Sequence, residues 1–178
     1  MTSHELPGDV RTVLTYRGTV YPWQCDHMGH MNVTSYIGKF DEASWQLLSG
    51  LGLTASRFRK ERIGMAAVEQ RIVYKRELFA GDAVTIHSSL LEVNEKSMRI
   101  LHKMTDDETG EVAAVTVIVA VHLDAATRKA RALPSDVRDL AAVVVCGTCG
   151  VDEQDHPDHQ LEMTGAGADR SFSFGPLV

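Results

Sequence analysis

The sequence predicts an α+β protein, one long amphipathic helix packed with an antiparallel sheet, and three observations carry that reading. Between Val33 and Leu51 apolar residues recur at helical spacing. From Met65 to Leu123 they alternate instead, as half-buried strands do. The breaks between those alternating runs are too short to hold a crossover helix, which leaves antiparallel pairing.

Taken in order, Arg11 to Tyr21 mixes β-branched and aromatic residues with polar ones, and Pro22 follows, so a strand with a stop is expected. Val33, Tyr36, Ile37, Phe40, Ser44, Leu47, Leu48 and Leu51 then form one helical stripe, with Lys39, Asp41, Glu42 and Gln46 off it. Asn32 is placed to cap this helix, and Gly50 and Gly52 to end it. Thr54 to Glu61 predicts a short basic helical turn. Strands are expected over Met65 to Phe79, Ala83 to Val93, Ser97 to Thr105 and Glu111 to Leu123, each pairing with the next through a short turn. The last, VAAVTVIVAVHL, is apolar on both faces and belongs in the sheet interior. A final short helix begins at Pro134 or Ser135. Residues 1–144 read as one domain; residues 145–178, rich in glycine, acids and histidine, read as a flexible appendage.

Composition narrows the function classes. Lys and Arg total 18 against 24 acids, a net charge of -6, so no chain-wide positive field draws nucleic acid or an anionic membrane surface. No run reaches the roughly 18 apolar residues of a spanning helix, and MTSHELPGDVRT lacks the pattern of an export signal. Three cysteines make no disulfide framework and agree with a reducing compartment, so a cytoplasmic location is expected.

The chemistry concentrates in CDHMGHMN, Cys25 to Asn32, at the joint between the first strand and the long helix. The run Asp26-x-x-x-His30-x-Asn32, then Tyr36 and the helical FDEA at Phe40 to Ala43, resembles the 4-hydroxybenzoyl-CoA thioesterase family. So do the basic strand end and Gly-Asp turn, Tyr74 to Asp82, and the closing ARALPSDVRDL. The resemblance spans roughly residues 11–142. It implies the hotdog fold, a curved antiparallel sheet wrapped around one long central helix, and hydrolysis of an acyl-CoA thioester without a cofactor. It also implies a homodimer, or a homotetramer built as a dimer of dimers, whose sites lie between subunits. Part of the family carries a histidine where this chain has Val33, so no role for that imidazole transfers.

A thioester hydrolase needs a nucleophile at the carbonyl carbon and a place for negative charge on the oxygen. A helix start offers free N–H groups and partial positive charge, so donors from Gly29 through Val33 are candidates for an oxyanion site. Asp26 either attacks the carbonyl directly or activates a water; otherwise it merely caps the loop. His30 either donates to the carbonyl, orients Asp26, or is a packed histidine, and Asn32 is a cap that fixes the backbone donors. Glu69 is a rival carboxylate, and Cys25 reads as a small hydrophobe. For the substrate, Tyr36 is a pocket residue, and Arg57 and Arg59 (with Lys60 and Arg62) and Lys75 and Arg76 (with Arg71) are candidates for coenzyme A phosphates. A hotdog hydratase or dehydratase, and a non-catalytic acyl-CoA-binding module, are the competing readings. In the appendage, Cys146, Cys149, His156 and His159 have ligand types and pair spacing that fit a structural zinc, set against an unliganded tail.

Overall fold

In a computed structural model, which describes residues 12–144, the chain runs β1 (Val13–Thr19), a short 3-10 helix (Pro22–Gln24), α1 (Val33–Gly50), α2 (Ala55–Glu61), β2 (Ile63–Tyr74), β3 (Ala83–Val93), β4 (Ser97–Asp106), β5 (Val112–Asp124) and α3 (Ser135–Val144). The five strands form one sheet in the order β1-β3-β4-β5-β2, every neighbouring pair antiparallel. The candidate zinc ligands Cys146, Cys149, His156 and His159 lie outside the described residues.

One expectation is corrected. β2 does not pair with β3, the next strand in sequence, but with β5 at the far side of the sheet, from Ile63↔Asp124 to Tyr74↔Ala114. The linking segment from Lys75 to Asp82 can span roughly 26 Å at strand rise, more than the roughly 14 Å across three strand spacings. It therefore crosses the sheet end rather than turning back. Its first residues stay anchored to β5, since the N–H groups of Lys75 and Arg76 donate to the Ala113 carbonyl at 2.9 and 3.1 Å. β5 is thereby interior, as its two apolar faces require.

α1 begins as expected: the Asn32 side chain accepts from the Thr34 N–H and caps it. Its buried face is Tyr36, Lys39, Phe40, Ala43, Leu47 and Leu48. The first half packs with Leu78, Val84, Ile86 and Met104, and the second with Leu90, Met98, Ile100, Leu133 and Val137. Lys39, which the periodicity leaves off the stripe, is only 2% exposed. Its ammonium donates to the Tyr16 hydroxyl at 2.9 Å and the Thr19 carbonyl at 3.1 Å, and stands 5.1 Å from the centre of the Tyr16 ring. Gly18 permits this, because a Cβ there would collide with the Tyr16 hydroxyl.

Helix α1 packs chiefly on β1 and β3. Its other flank faces β5 and β2 across a cleft.

Candidate active site

The joint is a closed loop fixed by backbone bonds at both ends. Cys25 bridges Met31, the Asp26 N–H donates to the His30 carbonyl at 3.1 Å, and the Gly29 N–H donates back to the Asp26 carbonyl at 3.0 Å. Closing so short a loop requires a left-handed residue, and Gly29 supplies it at φ 89°. The segment that crosses the sheet end supports the loop from outside: the Met31 N–H donates to the Leu78 carbonyl at 2.6 Å, and His30 bridges Phe79. The topology that departs from the expected pairing is what buttresses the site.

Within this loop Asp26 is partly exposed. Its Oδ1 accepts from the Met28 N–H at 2.9 Å, and its Oδ2 from the Asn32 side-chain amide at 3.2 Å. The Met28 N–H is the main reason its pKa lies below the ordinary aspartate value; partial desolvation opposes this, and the Asn32 amide and the neighbouring His30 and His27 add to it. The carboxylate is thus ionised at neutral pH. Asn32 performs two tasks with one amide: Nδ2 donates to Asp26, while Oδ1 accepts from the Thr34 N–H at 2.9 Å and the Thr34 hydroxyl at 2.7 Å. A helix cap and a carboxylate clamp are the same side chain.

Three of the five backbone donors proposed from sequence are already engaged. Gly29, Met31 and Asn32 donate to Asp26, Leu78 and Gln24, which leaves the N–H groups of His30 and Val33 without a partner among the described residues. The His30 ring lies 3.7 Å from the Glu77 carboxylate rather than bonded to Asp26.

The other candidates divide. Tyr36 is buried, its hydroxyl donates to the Arg76 carbonyl at 3.1 Å, and desolvation pushes its pKa up to about 12. It ties α1 to the crossing segment. Arg57 grips Asp136 with two bonds of 2.7 and 3.1 Å and Glu61 with a third of 3.0 Å, clasping α2 to α3. Arg76 is engaged with Asp106, Glu111 and Thr109 at the β4–β5 turn. Arg59 stands exposed on α2. Glu69 is exposed and pairs with Arg71 at 2.6 Å, which gives the rival carboxylate an ordinary strand-surface role. Lys75 begins the crossing segment beside Arg76.

The Arg57 geometry makes a prediction. Arg57→Ala should lower stability by about 1 kcal/mol, a clasp being lost at a partly exposed site, with the KM for an acyl-CoA within twofold of the parent. Thermal melts paired with steady-state kinetics check this; a KM raised tenfold would make Arg57 a phosphate ligand instead.

A cavity lies between residues far apart in sequence. About 380 Å³ in volume, it lies along the free flank of α1, from Thr34 through Ile37, Asp41, Ser44 and Trp45 to Leu48. Its opposite wall is Met65, Ala67 and Gln70 of β2 with Ile100, Ile118 and Ala120. The volume is in the range of small-ligand sites. Asp26 is not among the lining residues, but Thr34, at the α1-start end of this wall, bonds Asn32, whose amide in turn bonds the Asp26 carboxylate. Among the described residues no helix is long and apolar enough to cross a membrane.

Comparison with known proteins agrees with the fold. Residues 20–141 match the Thioesterase-like superfamily. The chain is 28% identical over 130 residues to the long-chain acyl-CoA thioesterase FadM of Escherichia coli strain K12, covering 73% of this chain and 95% of that protein. A solved structure of YbaW, a probable thioesterase from Escherichia coli, is 29% identical with a TM-score of 0.63, covering 74% of this chain and 99% of that one. The Staphylococcus aureus protein SAV2348, solved in complex with CoA, shares the fold at a TM-score of 0.72 and 18% identity, over 86% of this chain and 97% of that one. The chain belongs to the thioesterase-like superfamily, with the α+β hotdog fold and the thioester-hydrolase chemistry that membership carries.

Proposed function

We propose that this chain hydrolyses an acyl-CoA to a free acid and CoA, with the Asp26 carboxylate as nucleophile. The observation that carries the reading is the carboxylate itself, held by the Met28 N–H and the Asn32 amide and linked through Asn32 to Thr34, which lines the cavity. The lowered pKa keeps Asp26 ionised at neutral pH, the state that direct attack requires.

In that step a carboxylate oxygen bonds to the thioester carbon while the carbonyl oxygen takes the charge, facing the N–H groups of His30 and Val33. Collapse breaks the carbon–sulfur bond; the CoA thiolate leaves and takes a proton from solvent. Water then cleaves the mixed anhydride, releasing the acid and restoring the carboxylate. No metal enters these steps, so hydrolysis should survive chelation. The same reading makes α1 the centre of a curved sheet and adds a second copy along β2. That copy would roof the cleft and place Arg59, with Lys60 and Arg62, near the CoA phosphates. Release of thiol from a panel of acyl-CoAs tests the proposal; a hydrated or dehydrated acyl-CoA with no thiol would indicate a hydratase.

A pH dependence follows. Because the folded pKa of Asp26 is depressed, both its ionised form and its contribution to stability persist above the ordinary carboxylate range and fade as pH falls through the lowered value. The acid limb of kcat/KM should accordingly fall below that range. A limb with its midpoint at about pH 5 or higher would count against Asp26.

A further inference from the structure

We infer that the acyl group this cavity takes carries a hydroxyl far out on its chain, read by Ser44. The inference rests on the thioesterase reading and names its substrate class.

A line of polar groups threads through the core. Thr15 Oγ1 lies 2.5 Å from Ser88 Oγ, Ser88 Oγ lies 2.5 Å from His102 Nδ1, and His102 Nε2 lies 2.9 Å from Ser44 Oγ. Thr15, Ser88 and His102 are buried, and burial lowers the His102 pKa to about 3, so the ring is neutral and carries one N–H. Such a line can be ordered in two ways. Either Thr15 donates to Ser88, Ser88 to His102 and His102 to Ser44, with the Ser44 proton on the Phe40 carbonyl at 2.9 Å. Or every bond reverses, with Ser44 donating to His102 and the Thr15 proton on the Ile86 carbonyl at 3.2 Å.

Both orders turn the Ser44 proton inward and leave a lone pair for the cavity that Ser44 lines. The other polar groups along the wall lean the same way. The Thr34 proton is engaged by Asn32 Oδ1, the Trp45 N–H is donated to the Asp41 carboxylate at 3.2 Å, and the Gln70 amide nitrogen is turned to Thr116 at 3.4 Å. None of the lining residues is cationic, and the one formal charge is the Asp41 carboxylate. An anionic acyl group would meet acceptors and a like charge. An apolar chain with a donor completes the wall. A hydroxyl suits better than an ammonium, whose desolvation among Ile37, Leu48, Met65 and Ile118 would cost far more than one neutral hydrogen bond returns.

Ser44 stands three turns along α1 from its capped end, roughly 16 Å, so the hydroxyl belongs near the far end of a long chain rather than beside the thioester. The test is wild-type kcat/KM on lauroyl-CoA and its ω-hydroxy, ω-methoxy, ω-amino and ω-carboxy derivatives. The ω-hydroxy compound should exceed the ω-methoxy compound by about tenfold, one well-made hydrogen bond, and Ser44→Ala should bring that ratio close to one. Should the variant not fold, the wild-type series decides alone. An ω-methoxy, ω-amino or ω-carboxy substrate used as well as or better than the ω-hydroxy one overturns the inference while hydrolysis itself stands. Thiol release from none of the five, with another acyl-CoA hydrolysed, overturns the inference alone; thiol release from no acyl-CoA of any class overturns the thioesterase reading, and this inference with it.

Discussion

Asp26→Asn should lower kcat for acyl-CoA hydrolysis by about three orders of magnitude or more, because a neutral amide can neither form the anhydride nor activate water. The substitution is nearly isosteric, and an amide oxygen can still accept from the Met28 N–H that now holds Oδ1. The second position is less forgiving. Asn32 presents its amide nitrogen to Asp26 Oδ2 and cannot turn over, since its oxygen holds the Thr34 N–H and hydroxyl. Two amide nitrogens would face each other, so that one hydrogen bond is lost. The expected outcome is therefore a small drop in melting temperature, retained CoA binding and a collapse in turnover. Activity within tenfold of wild type in a folded variant would remove Asp26 from the chemistry and leave it as a loop cap.

How far this site was legible in the sequence depends on which interactions were local. The bounds of α1 follow from its stripe and from Asn32, because a helix cap is set by residues two apart. Asp26, Gly29 and Asn32 are likewise neighbours in sequence, and the structure brings them together in the loop the motif implied. The partner of β2 was not local. Short turns predict adjacent pairing, and only the length of Lys75 to Asp82 hints that the chain could cross the sheet instead. Long-range engagement of cations was equally hidden: Arg57 and Asp136 are far apart in sequence, and no local pattern pairs a phosphate candidate with the final helix. The burial of Lys39 depended on Gly18 leaving room for Tyr16, a fit that no periodicity records. His102 read as one more strand residue, yet the register of β3 and β4 sets it opposite Ser88.

Val68→Glu tests the remaining part of the proposal, the second copy along β2. β2 is an edge strand, and the register shift between Ala67 and Glu69 leaves Val68 as the extra residue of a bulge, half exposed at 51%. A long edge strand with exposed apolar residues is suited to pair with another strand, and a charge placed there is a common means of preventing it. The cavity adds a reason for pairing at this edge and not at β1: its wall includes Met65, Ala67 and Gln70 of β2, and Ile37 and Trp45 across from them are partly exposed. A copy docked on β2 would cover both. Burying a valine contributes about 1.5–3 kcal/mol, and a two-fold interface loses the contribution twice while gaining two buried charges beside Glu69. Dimer dissociation should thus rise by a factor of about a hundred or more in sedimentation equilibrium, with little change in the melting of the protomer. Turnover should fall to a few per cent of wild type at nanomolar protein and recover as protein concentration brings the dimer back. A variant that remains dimeric, or one that is monomeric and fully active at every dilution, would separate the active site from the β2 edge.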